Sequence, residues 1–242
     1  MSHPPKIDRK TLRQPDEFQK KGIEFISRLN LERVPVIPFF LLLGGSLLGY
    51  FGYKYWTEST EEKSWLAYHK AVKEPEEKRW DALAKFQSDY ASQRSGYFAG
   101  VTLADHYFDA AKKANLAAKP DEMKTNAELA LGWYEKSLKG KSLSDSEKQL
   151  LRVQRGSTFE LMGRLDEAQK EYTLASELNS PVGKGYALLS LARIWEMKKD
   201  DAKAAEFYGR VATEFSGSQY ALLAKGHLRR LKSPIFNEGK KS

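Results

Sequence analysis

The chain has 242 residues and a formal net charge of +8, from 40 Lys and Arg against 32 Asp and Glu. With 41% hydrophobic and 12% aromatic residues it is long enough and apolar enough to fold around a core, which excludes a wholly disordered chain. Cysteine is absent, excluding a disulfide framework, a thiolate metal site and a cysteine nucleophile, though not an oxidising compartment.

Residues 1–14 are polar, with Pro4 and Pro5, and are expected to be disordered. From Pro15 the segment PDEFQKKGIEFISRLNLE reads as a helix with Phe18, Gly22, Phe25, Ile26 and Leu29 on one face and Lys20, Lys21 and Arg28 around the rest. A basic amphipathic helix ahead of a membrane span lies on the inner leaflet; an ordinary solvated helix against a partner is the alternative.

Arg33 is followed by twenty uncharged residues, VPVIPFFLLLGGSLLGYFGY, from Val34 to Tyr53. At about 1.5 Å per residue they cover the hydrocarbon core of a bilayer. Pro35 and Pro38 fall near the start, where their missing N–H groups cost no intrahelical bond, and Tyr50, Tyr53, Tyr55 and Trp56 gather at the far end as an interfacial belt. A buried core helix is the rival reading. A cleaved signal peptide fits less well, because 33 residues precede the run and Thr57-Glu58-Ser59 is a poor cleavage site. The flank before the run holds Lys20, Lys21, Arg28 and Arg33, and the flank after it only Lys54 and Lys63, so the N-terminus is expected in the cytoplasm. Gly45 and Gly49 form a GxxxG pair, a candidate contact with another membrane helix.

Beyond residue 53 there are 32 basic and 27 acidic residues, interspersed, with no basic stripe to favour nucleic acid. Ala, Leu, Glu, Lys and Gln dominate. Helices are expected near 58–72, 76–92, 96–115, 121–138, 145–162, 166–179, 182–197, 201–215 and 218–231, with Ser144 and Glu147 forming a capping box.

A repeat underlies these helices. Counting from Gln149, Gly156, Phe159, Ala168, Tyr172 and Ala175 have the spacing of a tetratricopeptide repeat; 36 residues on, counting from Gly185, come Leu188, Leu191, Ala192, Trp195, Ala204, Tyr208 and Val211. A third start at Gln219, with Leu222 and Gly226, covers one helix rich in His227, Arg229 and Arg230, as a polar capping helix does. A weaker echo runs through Trp80, Phe86, Tyr90, Tyr97 and Ala99. A further unit, Leu103, Ala104, Tyr107, Ala130 and Tyr134, is stretched by an insertion near 113–125. A helical bundle with chance spacing is the alternative.

The order of these parts resembles the tetratricopeptide-repeat inner-membrane proteins of Gram-negative bacteria related to the ancillary subunit of the Sec translocon (YfgM-like). The resemblance rests on the basic stub PDEFQKKGIEFISRL, one span, the junction GYFGYKYWTESTEEKSWLAY and repeats with a turn and helix of the type SGSQYALLAKGHL, over about residues 15–231. It implies a single-span protein of the bacterial inner membrane, with its repeat domain in the periplasm, associating with the translocon and periplasmic chaperones to assist exported proteins. The stretched unit departs from that pattern.

The expected fold is therefore all-α: a cytoplasmic segment (1–33), a single N-terminal transmembrane helix (34–53), a juxtamembrane helix (54–75), an α-solenoid of tetratricopeptide-like hairpins with a capping helix (76–234) and a tail (235–242). No catalytic constellation is expected. His3, His69, His106 and His227 are scattered without metal-ligand spacing and no phosphate-binding loop is present, so no enzyme activity, metal, cofactor or small-molecule substrate is assigned. In stacked hairpins the first helices line a concave side. That places Leu150, Val153, Ser157, Glu160 and Leu161, then Tyr186, Leu189, Arg193, Glu196 and Met197, in a groove for a peptide segment, with Tyr186 and Arg193 as the best anchors. For Leu150, Val153 and Leu189 the competing expectation is inter-repeat core. Two functions follow: an adaptor to the export machinery, binding the Sec translocon, periplasmic chaperones or client chains, or a tethered scaffold for envelope assembly or cell division.

Overall fold

The computed structural model describes Lys20, Lys21, Glu24 and residues 36–140 and 143–232. Among the described residues every regular element is helical: α1 (Val36–Val72), α2 (Glu76–Asp89), α3 (Arg94–Leu116), α4 (Pro120–Leu138), α5 (Asp145–Leu161), α6 (Leu165–Glu177), α7 (Lys184–Met197), α8 (Asp201–Glu214) and α9 (Gln219–Leu231). Two compact units divide at Ser59 and Thr60.

In the first unit, Lys20, Lys21 and Glu24 are helical; the rest of the expected stub helix, the polar residues 1–14 and Val34 and Pro35 lie outside the described residues, as does the tail from 233. The separate span and juxtamembrane helices expected from the sequence are instead one helix, α1, since no proline interrupts the chain between Pro38 and Pro75. Phe39, Phe40, Leu41, Leu42, Leu43, Leu47, Leu48, Tyr50, Phe51, Tyr53, Tyr55 and Trp56 are all exposed along it. Among the described residues no helix is long and apolar enough to cross a membrane.

In the second unit the helices pack in chain order, α2 on α3, α3 on α4, α4 on α5 and onward to α9, and the first helices of successive hairpins also touch: α3 with α5, α5 with α7, α7 with α9. This is the neighbour-to-neighbour packing of an α-solenoid. Helix starts follow local chemistry. Pro75 precedes Glu76 and Glu77 at the positive end of α2, Pro120 occupies the first turn of α4, and Ser144 and Glu147 make a complete capping box at α5.

One turn recurs between the helices of three hairpins. Gly163 has a positive φ of 73°, Lys199 of 61° and Ala118 of 54°. In each case the next amide donates back to a carbonyl five residues earlier: Arg164 to Phe159, Asp200 to Trp195 and Lys119 to Ala114, each 2.9 Å. This is the Schellman closure of a helix end. It is present between α3 and α4 as well, so the stretch near 113–125 does not open a longer loop. The connection there is as short as the others, and the extra residues lengthen α3 and α4.

Of the residues singled out by the 36-residue spacing, Phe159, Ala168, Tyr172 and Ala175, and Leu188, Leu191, Ala192, Ala204, Tyr208 and Val211, are buried in one core across α5–α9, and Trp195 packs against it partly buried. A second core joins Ala71, Leu83, Phe86, Ala99 and Leu103, and a third Ala104, Ala130, Tyr134, Leu143 and Leu151. Gly156 is required by packing. A Cβ there would stand 2.7 Å from the ring of the buried Tyr172.

Candidate protein-binding groove

The row of first helices α5, α7 and α9 bears a cleft of about 410 Å³ lined by Glu160, Arg193, Glu196, Met197, His227 and Arg230. Its framework is a three-part ionic unit that occurs twice. In the first, the Tyr172 hydroxyl donates to Glu160 at 2.9 Å, and Arg193 donates to both Glu160 oxygens at 2.8 and 3.0 Å. In the second, Tyr208 donates to Glu196 at 3.0 Å, and Arg230 pairs with Glu196. Each tyrosine rises from the second helix of a hairpin, each glutamate closes the first helix, and each arginine comes from the next first helix. The unit thus pins three elements together.

Burial, followed by the neighbouring carboxylates, pushes the Tyr172 and Tyr208 phenols well above their ordinary range, so both are held as neutral donors. Burial would lower the Arg193 guanidinium, but Glu160 outweighs it and holds the cation above its ordinary value. His227 stacks on the Tyr208 ring with centroids 4.6 Å apart, and its Nδ1 lies 3.1 Å from the Tyr208 hydroxyl. Asp105 and Tyr134 form a partial version of the unit, 2.6 Å apart, on α3 and α4.

Of the residues assigned to the groove from sequence, Glu160, Arg193, Glu196 and Met197 line it, Met197 half exposed at 50%. Tyr186 is partly buried. It packs on the α5–α9 core between the Tyr172 and Tyr220 rings, and its hydroxyl meets Ser157 at 3.3 Å. Leu150 is 44% exposed but not part of the cleft lining. Val153 and Leu189 are corrections. At 8% and 5% exposure the competing expectation holds for them, and they belong to the core that joins α5–α9. Gly45 and Gly49 are exposed, with nothing within 4 Å of a Cβ at either, so no described residue uses the GxxxG pair.

Sequence reasoning missed the tyrosine–glutamate–arginine unit and put His227 and Arg230 only in a cap. The signal was present: Glu160 and Glu196 are 36 residues apart, as are Tyr172 and Tyr208. The cap is also less polar than expected, since Leu222 and Leu223 of α9 are 71% and 46% exposed. A second cleft, of about 480 Å³, is lined by α6 residues from Asp166 to Glu177 together with Trp195 and Lys198. The Trp195 ring there is faced by Lys198 and Lys203 at 5.3 and 4.0 Å.

No protein-family model, curated protein or solved structure matches the chain. The resemblance drawn from the order of its parts rests on those residues alone.

Proposed function

We propose that the chain is a membrane-anchored protein-binding adaptor whose tetratricopeptide-like solenoid holds polypeptide segments in the groove of α5, α7 and α9. The observation that carries this reading is the groove itself, which sets the Met197 thioether and the His227 ring beside the paired charges of Glu160, Arg193, Glu196 and Arg230 on a row of helices, a lining suited to a peptide. The 36-residue recurrence of Tyr172 and Tyr208, of Glu160 and Glu196 and of the Gly163 and Lys199 turns supports the repeat assignment. The anchor is supported by the charge-free run Val34–Tyr53, whose described side chains stand exposed on all sides of α1, since a helix apolar all round belongs in a core or a bilayer. The flanking lysines and arginines favour a cytoplasmic N-terminus and a periplasmic repeat domain in the inner membrane. With the resemblance to the ancillary translocon subunit, this points to the Sec translocon and periplasmic chaperones as partners and to exported proteins as clients. Action is non-covalent: confinement at the membrane raises the domain's effective concentration near membrane partners.

Affinity purification of the full-length protein from native membranes in mild detergent, beside a sample with Val34–Tyr53 replaced by an unrelated span, tests this. The reading expects translocon subunits and periplasmic folding factors, reduced by the exchange. Division or cell-wall proteins, retained after the exchange, would replace it with a tethered scaffold.

A further inference from the structure

The outer side of α9 shares a glycine and the cation before it with the surface that α5 presents to its own second helix, while Leu222 stands where α5 has Arg152, a second partner of Glu171 at 3.1 Å. On α5, Gly156 receives the ring of Tyr172, and the preceding Arg155 pairs with Glu171, the residue before Tyr172, at 3.2 Å. On α9, Gly226 stands at the place of Gly156 and is again preceded by a cation, Lys225. Among the described residues nothing lies within 4 Å of a Cβ at Gly226, Lys225 is exposed, and Leu222 and Leu223 flank the gap at 71% and 46% exposure.

We propose that this face of α9 takes a helix of another protein that carries an acidic residue immediately before an aromatic one, completing in trans the hairpin that α9 opens. The aromatic ring would lie on Gly226 as Tyr172 lies on Gly156, the acid would pair with Lys225 as Glu171 pairs with Arg155, and apolar side chains would cover Leu222 and Leu223. Charge selects the occupant. The charged residues of α9 are Lys225, Arg229 and Arg230, with no acid, so a second copy of α9 would meet it with like charge. The residues after Lys232, SPIFNEGKKS, hold two lysines against one glutamate and no acid–aromatic pair, and match the requirement no better. The face is distinct from the groove of the proposed adaptor function, so its failure would leave that reading standing.

The test uses the full-length protein in detergent and a fluorescein-labelled peptide, LDEAQKEYTLASEL, with the sequence of 165–178, followed by fluorescence anisotropy. Saturable binding is expected. Gly226→Leu, which fills the gap on an exposed helix face, should raise Kd by about tenfold or more. Lys225→Glu should raise it about 2- to 5-fold, as loss of an exposed ion pair does, and a peptide with lysine in place of the glutamate before its tyrosine should recover that loss. Absence of binding, or binding indifferent to Gly226→Leu and to the charge exchange, would overturn the proposal. Binding that appears only after removal of 233–242 would make the chain's own tail the occupant. A dimer dispersed by Leu222→Glu would make it a second copy. Either result also overturns it.

Discussion

At the scale of single residues, the sharpest consequences lie at backbone positions that side chains constrain. Lys199 and Ala118 adopt the left-handed conformation that Gly163 adopts in the equivalent turn. A non-glycine residue there costs about 1–2 kcal/mol, so Lys199→Gly and Ala118→Gly should each raise stability by about 1 kcal/mol in denaturant titration, whereas Gly163→Ala should lower it by a similar amount. The same chemistry has the opposite sign inside helices. Gly132 has open space around its Cβ position, so Gly132→Ala should stabilise α4 by about 0.5–1 kcal/mol. Gly156→Ala would drive a methyl into the fully buried Tyr172 ring and should cost about 1–3 kcal/mol. If the two alanines behaved alike, the close approach of α5 and α6 would be wrong.

At the scale of elements, the start of α5 is a junction. Glu147 accepts from the Ser144 amide at 2.9 Å and pairs with Arg94 of α3 at 2.7 Å. Burial would raise its pKa, but the Ser144 bonds and Arg94 outweigh burial and hold the carboxyl below its ordinary value. A depressed carboxyl contributes stability that is present above the unfolded pKa and lost as pH falls through the folded one. Glu147→Gln should therefore cost about 1 kcal/mol at pH 7, and the gap from the parent protein should close as the pH is lowered below the usual carboxylate range. Between hairpins, a double-mutant cycle on Glu160 and Arg193 should give a coupling of about 1–3 kcal/mol, repeated at Glu196 and Arg230, as hydrogen-bonded and partly buried charge pairs do. Helix placement was legible in the sequence because Pro75, Pro120, the Ser144 box and the small–aromatic spacing are local signals. The ionic units were legible only as a 36-residue recurrence, because their three members come from three helices. The burial of Val153 and Leu189 was legible only as one of two alternatives, since position within a repeat does not say which inward residues the neighbouring helices cover. Nor were the exposed leucines of α9, because one helix pattern serves both a covered and an uncovered face.

At the scale of the molecule, the second unit is held together by contacts between neighbouring helices, so its stability is close to a sum over adjacent interfaces. Weakening one interface, as Glu196→Gln would between α7, α8 and α9, should raise hydrogen exchange in α8 and α9 while leaving α2 and α3 protected. Uniform loss of protection would speak for a single cooperative block. The functional reading joins this unit to a charge-free run that carries its apolar side chains outward, and everything said of partners depends on where that run places the domain.

Membrane topology tests that dependence most directly, and a chain without cysteine is suited to it. Full-length protein carrying Lys20→Cys or Lys170→Cys, expressed in a Gram-negative bacterium, would be exposed to a membrane-impermeant maleimide after the outer membrane is permeabilised. The account predicts that Lys170→Cys, at an exposed position on α6, is labelled in intact cells, whereas Lys20→Cys is labelled only after lysis. Protection of both, or labelling of Lys20→Cys with protection of Lys170→Cys, would contradict a periplasmic adaptor.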